Sequence, residues 1–299
     1  MSTLRGPDAP SWALHETFLA VMEGGSLSAA ARSLGVAQPT VRRRVEALEE
    51  ALDVVLFTRA VNGLVPTQAA RAMRPHAEAM AATARAMARA VSAARDAERG
   101  TVRITASDVM GVEVLPPMLA SLRARRPGLR IELALGNAAQ DLVRRDADVA
   151  VRMTRPTQKA LVARRVGTID VGLFASAAYL AGREPPRRRR DLGRHALIGA
   201  DRDRAVLDAQ AAAGMPTGAR AYALRTDDDL ATLAAIRAGV GIGACQAPLA
   251  AREPALVRVL PRLSLPLEVW LVTHEDLRHV ARVRVVLDHL AEALAAYVG

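Results

Sequence analysis

Two short stretches of helical periodicity on either side of Gly35 constrain this chain more than any other feature. Leu27, Ala30, Ala31 and Leu34 fall on one helical face behind Ser26, a residue type that caps helix N-termini. Gly35 closes that segment. A second helix opens at Gln38-Pro39, where the missing N–H costs little because first-turn amides have no intrahelical partner. Val41, Val45, Leu48 and Leu52 form its apolar stripe, whereas Thr40, Arg42, Arg43 and Arg44 point mostly elsewhere.

Upstream, Leu14, Phe18, Leu19 and Met22 repeat at helical spacing until Gly24-Gly25 interrupts them. Downstream, strands are predicted at Val54 to Thr58 and Gly63 to Pro66 around Asn62-Gly63, a strong hairpin turn pair. The order defines a winged helix-turn-helix whose polar recognition-helix start suits a major groove. An isolated arginine trio reads equally well as a solvated face. Here the Gly35 turn, the Pro39 start and the wing favour double-stranded DNA. Gln38 suits adenine and Arg43 guanine, while Ser26, Ser28, Thr40, Arg42, Arg44 and Arg59 would divide backbone and base contacts. Glu46, Glu49 and Glu50 are expected to face away from phosphate.

Charge needs care at this point. The formal net charge is +10, and Lys159 is the only lysine among 41 basic residues. Residues 1–99 carry only +2 of that balance, so the basicity is not concentrated where DNA contact is expected. Whole-chain charge therefore supports no particular partner.

From Thr67 to about Ala97 an alanine-rich helix is predicted, with Ala70, Met73, Ala77, Met80, Ala84, Met87 and Val91 in one stripe and Pro75 as a local interruption. That stripe needs cover, from the N-terminal module or from a second subunit.

With 299 residues and 51% apolar composition, the remainder is long enough for a sizeable core. Strands are predicted at Thr101 to Ala106, Leu129 to Leu135, Ala147 to Met153 and Thr168 to Phe174, and helices at Val109 to Arg125 and Gln140 to Arg145. A second lobe follows. It has a basic, Pro-rich loop at Glu184 to Arg190, strands at Ala196 to Gly199 and Ala221 to Arg225, and helices at Arg204 to Ala213 and Leu230 to Ala238. Leu267 to Thr273 and a helix from Val280 to Tyr297 return to the first lobe, which places a cleft between the two. Its candidate lining is Ser107, Asp108, Asn137, Arg152, Thr226, Asp227 and Cys245, although capping and turn formation are equally ordinary roles for such residues. Gly239, Gly241 and Gly243 follow a helix and sit within a short apolar strand, which is the wrong order for a dinucleotide loop.

Enzyme readings lack support. Six dispersed histidines include no HExxH pair, and one cysteine gives neither a disulfide framework nor a multi-cysteine metal site. No catalytic residue, metal site or cofactor is expected. The opening segment lacks the order of an export signal, and no apolar run reaches about 18 residues, so a cytoplasmic, non-membrane protein is the simplest expectation.

The residues Phe18-Leu19-Ala20-Val21, Gly25 to Ala31, Gln38-Pro39-Thr40-Val41, Arg43, Leu48-Glu49 and Leu56-Phe57-Thr58-Arg59 together resemble the LysR-type transcriptional regulators. Pro66-Thr67, Leu115-Pro116-Pro117, Asp148 to Arg152, Ala238 to Ile242 and Trp270-Leu271-Val272 extend the resemblance over nearly the whole chain.

It implies an α/β protein with a winged helix-turn-helix at 1–66, a dimerising linker helix at 67–98 and a two-lobed, periplasmic-binding-protein-like effector domain at 99–299. The lobes would comprise about 99–174 with 261–299, and 175–260. By this resemblance Ser26, Ser28, Gln38, Pro39, Thr40 and Arg43 lie in the DNA-reading region, and Ser107 and Thr226 at effector-pocket turns. Expected partners are promoter DNA, an unidentified small-molecule effector, further copies of the chain as a homodimer or homotetramer, and RNA polymerase as an additional candidate. The alternative is a constitutive DNA-binding repressor or structural protein whose α/β half only assembles subunits. Arg42 stands at a usual serine position, Thr58 at a frequent glutamate and Ala70 at a frequent glycine, so operator preference and linker geometry are open to variation.

Overall fold

The computed structural model describes residues 10–60, 63–92, 99–136, 147–158, 160–216 and 218–299. The chain divides into two compact units near residue 88.

The first unit begins with α1 (Trp12–Gly24), α2 (Leu27–Leu34) and α3 (Gln38–Leu52). Gly25 and Gly35 hold φ values of 62° and 64°, left-handed conformations that glycine adopts without a Cβ penalty, and each ends the helix before it. Asp53 does the same for α3 at φ 51°, without glycine's freedom. The hairpin β1 (Phe57–Ala60) and β2 (Gly63–Pro66) follows, then α4 (Gln68–Ser92) with Pro75 inside it.

The first strand thus starts later than predicted, leaving Val54 and Val55 exposed. Glu49 explains the shift. Its Oε1 accepts the Leu56 and Phe57 amides at 2.6 and 3.1 Å, fixing the chain as it enters the hairpin. Two apolar clusters close the unit: Ala20, Val21, Ala30, Ala31, Val41 and Val45 between the first three helices, and Phe18, Leu48 and Leu56 against Ala70 and Ala77 of α4.

The second unit is built on a mixed seven-stranded sheet. β3 (Gly100–Ala106) lies between β4 (Leu129–Leu135) and β5 (Val149–Arg152), parallel to both. Between β3 and β4 the predicted single helix divides into a wide turn at Met110–Val114 and α5 (Leu115–Arg125). Pro116 and Pro117 lack the N–H groups a continuous ladder requires, and a restart at Leu115 places them in a first turn where none is needed. The helix predicted at Gln140 to Arg145 lies outside the described residues.

β6 (Leu161–Ser176) is far longer than the strand predicted there. Its first part pairs with β11 (Leu265–His274) and its last residues pair with β10 (Leu256–Val259) and β9 (Gly243–Gln246), so a single strand serves both lobes. The second lobe adds α6 (Ala177–Leu180), a tight helical turn at Arg189–Arg194, β7 (Ile198–Gly199), α7 (Arg204–Ala212), β8 (Leu224–Arg225), α8 (Asp229–Arg237) and α9 (Ala247–Ala250). The strand predicted at Ala221 to Arg225 contracts to two residues, because Ala219–Ala221 forms a helical turn first. α9 and β10 carried no recognised sequence signal, whereas β9 continues the short apolar strand expected at the glycines after α8. The last helix, α10 (Ala281–Val298), presses Val283, Val286, Leu290 and Leu294 onto the core of Ile104, Leu115, Leu129, Val149 and Ile169.

The glycines after α8 are packing positions. A Cβ on Gly241 would strike the Ala196 carbonyl, and one on Gly243 would meet Ile236 at 3.0 Å.

Candidate functional site

On α3, Gln38, Pro39, Arg42 and Arg43 are exposed while Val41, Val45 and Leu48 are buried, so the helix separates its roles by face. Thr40 is half-buried, and Ser28 is exposed in the first turn of α2. Ser26 has a local role: its Oγ accepts the Ala29 amide at 3.2 Å and caps α2. Arg44 turns toward α1, where its Nη1 donates to Thr17 Oγ1 at 3.4 Å. The trio therefore does not act as one charged face.

The hairpin is fixed beside α2 by one close approach. Leu64 N–H donates to the Gly25 carbonyl at 2.9 Å, and a Cβ on Gly63 would lie 2.6 Å from that oxygen. Arg59 is exposed on β1 and lines a groove of about 110 Å³ with Arg42, Glu46, Glu49, Phe57 and other residues. Glu46 thus lines the same groove as Arg42 and Arg59. Glu49 is engaged by hairpin amides, a structural role that went unrecognised in the sequence.

The α4 stripe divides. Ala70 and Ala77 are buried with Met73 in the N-terminal core, whereas Met80 and Met87 remain 43% and 65% exposed. Among the described residues, the start of the stripe is covered by its own unit, and Met80, Ala84 and Met87 are not.

In the second unit a cavity of about 120 Å³ lies between the lobes, with Val109, Val171, Leu233, Leu249 and Leu267 as its apolar wall and Asp229, Cys245 and Gln246 as its polar groups. Burial pushes the Cys245 thiol up to about 11, so it is a neutral, weakly donating wall group. Burial also raises the Asp229 carboxyl above its usual range, reinforced by the charges of Asp228, Asp108 and Asp203.

Of the other suspected lining residues, Thr226, Asp227 and Arg152 make contacts within the scaffold. Asp227 accepts the backbone amides of Asp201, Arg202 and Asp203, with Oδ1 at 2.8–3.0 Å from the three nitrogens. Those bonds lower its pKa. Thr226 Oγ1 accepts the Asp228 amide at 3.1 Å, and Asp228 caps α8 through the Leu230 and Ala231 amides. Arg152 is buried and donates to Thr105 Oγ1 at 3.3 Å. None of these four borders the cavity. Ser107 and Asp108 begin the segment after β3, where the Ser107 carbonyl accepts the Gly111 amide at 2.8 Å. Asn137 lies outside the described residues. Asp229 and Gln246 were the polar cavity groups missed in the sequence; Asp229 was distinguishable only once Asp228 was known to be the cap.

A polar chain joins the lobes beside this cavity. Arg237 of α8 donates to both Glu113 oxygens at 2.8 and 3.0 Å and grips Glu253 through Nε. Arg252 donates to the Glu113 carbonyl at 3.2 Å and lies 5.0 Å above the Tyr297 ring. Tyr297 in turn donates to Gln246 Oε1 at 2.7 Å. The Arg237 hydrogen bonds hold the Glu113 carboxyl below its usual range. Among the described residues no group of three metal-ligating side chains converges, and no helix is long and apolar enough to cross a membrane.

A winged helix-turn-helix joined to a two-lobed α/β domain defines a class of bacterial regulator-like architecture. Residues 12–71 match the bacterial regulatory helix-turn-helix protein, lysR family, and residues 95–295 match the LysR substrate binding domain. The chain belongs to the LysR family. A Xanthomonas campestris HTH-type transcriptional regulator is 31% identical over 63% of this chain and 55% of its own length. The match to that relative thus spans little more than half of it. CrgA, a LysR-type transcriptional regulator from Neisseria meningitidis, is 25% identical in structure-based alignment, with TM-score 0.59 over 94% of this chain and 98% of its own. CbnR in complex with its target DNA shares the fold at TM-score 0.68 and 21% identity, covering 95% and 99% of the two chains.

Proposed function

We propose that this protein is a sequence-specific transcriptional regulator whose promoter contacts are modulated by a small molecule. The exposed start of α3 is the observation that carries the reading: Gln38, Arg42 and Arg43 project from a helix whose opposite face is fixed in the core. Gln38 and Arg43 read base edges, with Thr40 beside them. Ser28, Arg42 and Arg59 position the phosphate backbone, Pro39 sets the start of the reading helix, Arg44 steadies that helix against α1 through Thr17, and Ser26 acts chiefly by orienting α2. The neighbouring fold of CbnR, solved with its target DNA, supports the same use of this architecture.

Effector binding is assigned to the cavity between the lobes, with Cys245, Asp229 and Gln246 as direct polar groups and Asp108 setting the local field. Ser107 and Thr226 shape the turns beside it. A cavity of about 120 Å³ suits a compact ligand, since a cavity of about 150 Å³ takes up benzene. The boundaries 1–66, 67–98 and 99–299 describe the working parts, and exposed Met80 and Met87 are the proposed seam of a homodimer. The role is regulation rather than catalysis, in the cytoplasm.

Selection of binding sites from genomic DNA with the purified protein tests this. A recovered sequence bound more tightly than its scrambled version supports the reading, and equal affinities overturn it. A ligand screen on the selected complex then separates effector control from constitutive binding.

A further inference from the structure

The second lobe carries a set of arginines that neither DNA reading by α3 nor effector binding uses. Arg187, Arg188 and Arg189 enter the helical turn at Arg189–Arg194 and face Arg262 across a surface groove of about 340 Å³. Leu260 and Leu263 form its floor, and no carboxylate lines it. Arg188, Arg189 and Arg262 make no ion pair among the described residues. The nearby acids are engaged elsewhere: Glu184 pairs with Arg187 at 3.3 Å, and Asp191 Oδ2 accepts the Arg187 and Arg188 amides at 3.1 and 2.9 Å.

The display is held in place. Pro186 and Leu192 are buried anchors, Asp191 pins the turn, and the Arg183 guanidinium stacks 4.6 Å above the Tyr179 ring. On the opposite wall Leu260 adopts φ 49°, an unfavourable conformation for a bulky residue, and its carbonyl accepts the Leu263 amide at 2.8 Å. This tight turn presents Arg262 to the groove. Strain of this kind persists where the surroundings enforce it and concentrates at binding sites.

We infer that the groove between Arg187–Arg189 and Arg262 is a second anion site that holds the phosphodiester backbone of the DNA engaged by the first unit. The inference rests on the DNA-reading proposal above. Guanidinium forks match phosphate oxygens and retain their charge without assistance. The groove lacks aromatic side chains for base stacking, which fits backbone contact without base reading. Because both units belong to one chain, duplex held by the first is presented to the second at raised effective concentration. That tethering favours DNA over an acidic protein segment.

The test compares the full-length protein with an Arg188→Ser/Arg189→Ser/Arg262→Ser variant on two duplexes: the selected site alone, and the same site extended by about 40 base pairs on each side, titrated from about 50 to 200 mM salt. The wild type should bind the long duplex with a salt slope steeper by about two to three, and the variant should lose that increment and roughly tenfold in affinity. Unchanged binding of the short duplex would show that the fold and the reader are intact. Equal increments for the two proteins overturn the inference, including the case in which a polyglutamate peptide binds the groove instead. If neither protein holds the short duplex, the reading of α3 fails and the inference falls with it, whereas equal increments beside an intact short-duplex affinity overturn the inference alone.

Discussion

The start of α3 and the cavity between the lobes are both polar sites, yet they are built in opposite ways. On α3 the candidate contacts Gln38, Arg42 and Arg43 are exposed, and structural work falls to Val41, Val45 and Glu49. At the cavity, Asp227, Asp228 and Thr226 are occupied by backbone amides, and only Asp229 of the acidic run reaches the opening. A convex helical surface separates function from scaffold by face. A concave site assembled from several segments mixes them at adjacent positions.

The largest expected effect tests the separation on α3. An Arg42→Ala/Arg43→Ala variant should lose about 100-fold in affinity for a selected site, from one base-edge contact and one phosphate contact, with an unchanged unfolding midpoint. DNA titration alongside thermal unfolding checks it; a lowered midpoint would mean that these arginines also serve the fold. Arg42→Ser alone should reduce the salt slope by about one without altering the preferred sequence.

The lobe junction should show the reverse coupling. Arg237→Ala removes the hydrogen bonds to Glu113 and Glu253 and should cost about 1–2 kcal/mol, modest because the pair is partly solvated. Glu113 is held below its ordinary value, so its contribution is complete at neutral pH and disappears as pH falls through and below the carboxylate range. Chemical unfolding at several acidic pH values should show that decline in the wild type and a shallower one in the variant.

The same division governs what could be read from sequence. The helix-turn-helix was legible because Gly25, Ser26, Gly35 and Pro39 each act within a few residues of themselves, through caps and left-handed turns. The continuous β6 was legible only in its second half, Thr168 to Phe174, since its first residues, Leu161 to Gly167, are strand through pairing with distant β11. The α4 stripe was legible as apolar but not as divided, because periodicity does not say where the N-terminal core ends. Among the acids, three consecutive aspartates look alike until the helix start is fixed at Asp229. Glu49 was hidden for a related reason, its partners being the amides of a hairpin outside its own helix.

A smaller effect concerns the end of α3. Asp53 occupies a left-handed position with φ 51°, and its amide bonds back to α3. Asp53→Gly should raise stability by up to about 0.5–1 kcal/mol, because relief of the Cβ penalty outweighs glycine's added unfolded freedom. DNA affinity should stay level, since Asp53 lies at the far end of α3 from Gln38. A loss of affinity would show that the helix end contributes to recognition.

The smallest shifts are the most discriminating, because two neighbouring carboxylates should move stability in opposite directions. Asp227 is stabilised as an anion by three backbone amides and has a lowered pKa. Neutralising it by Asp227→Asn should therefore lower the unfolding midpoint at neutral pH. Asp229 has a raised pKa from burial and from neighbouring acids, so its charge opposes folding at that pH, and Asp229→Asn should raise the midpoint. The signs follow from linkage: the Asp227 contribution is lost as pH falls through its lowered value, whereas the Asp229 penalty is relieved as pH falls through its raised one. The Asp229 difference should vanish below the ordinary carboxylate range and the Asp227 difference only below its own lowered value, where each wild-type group is neutral in both states. Equal signs for the two variants would mean that scaffold and cavity are not divided between these positions, and the contrast with α3 would fail at the point where it is sharpest.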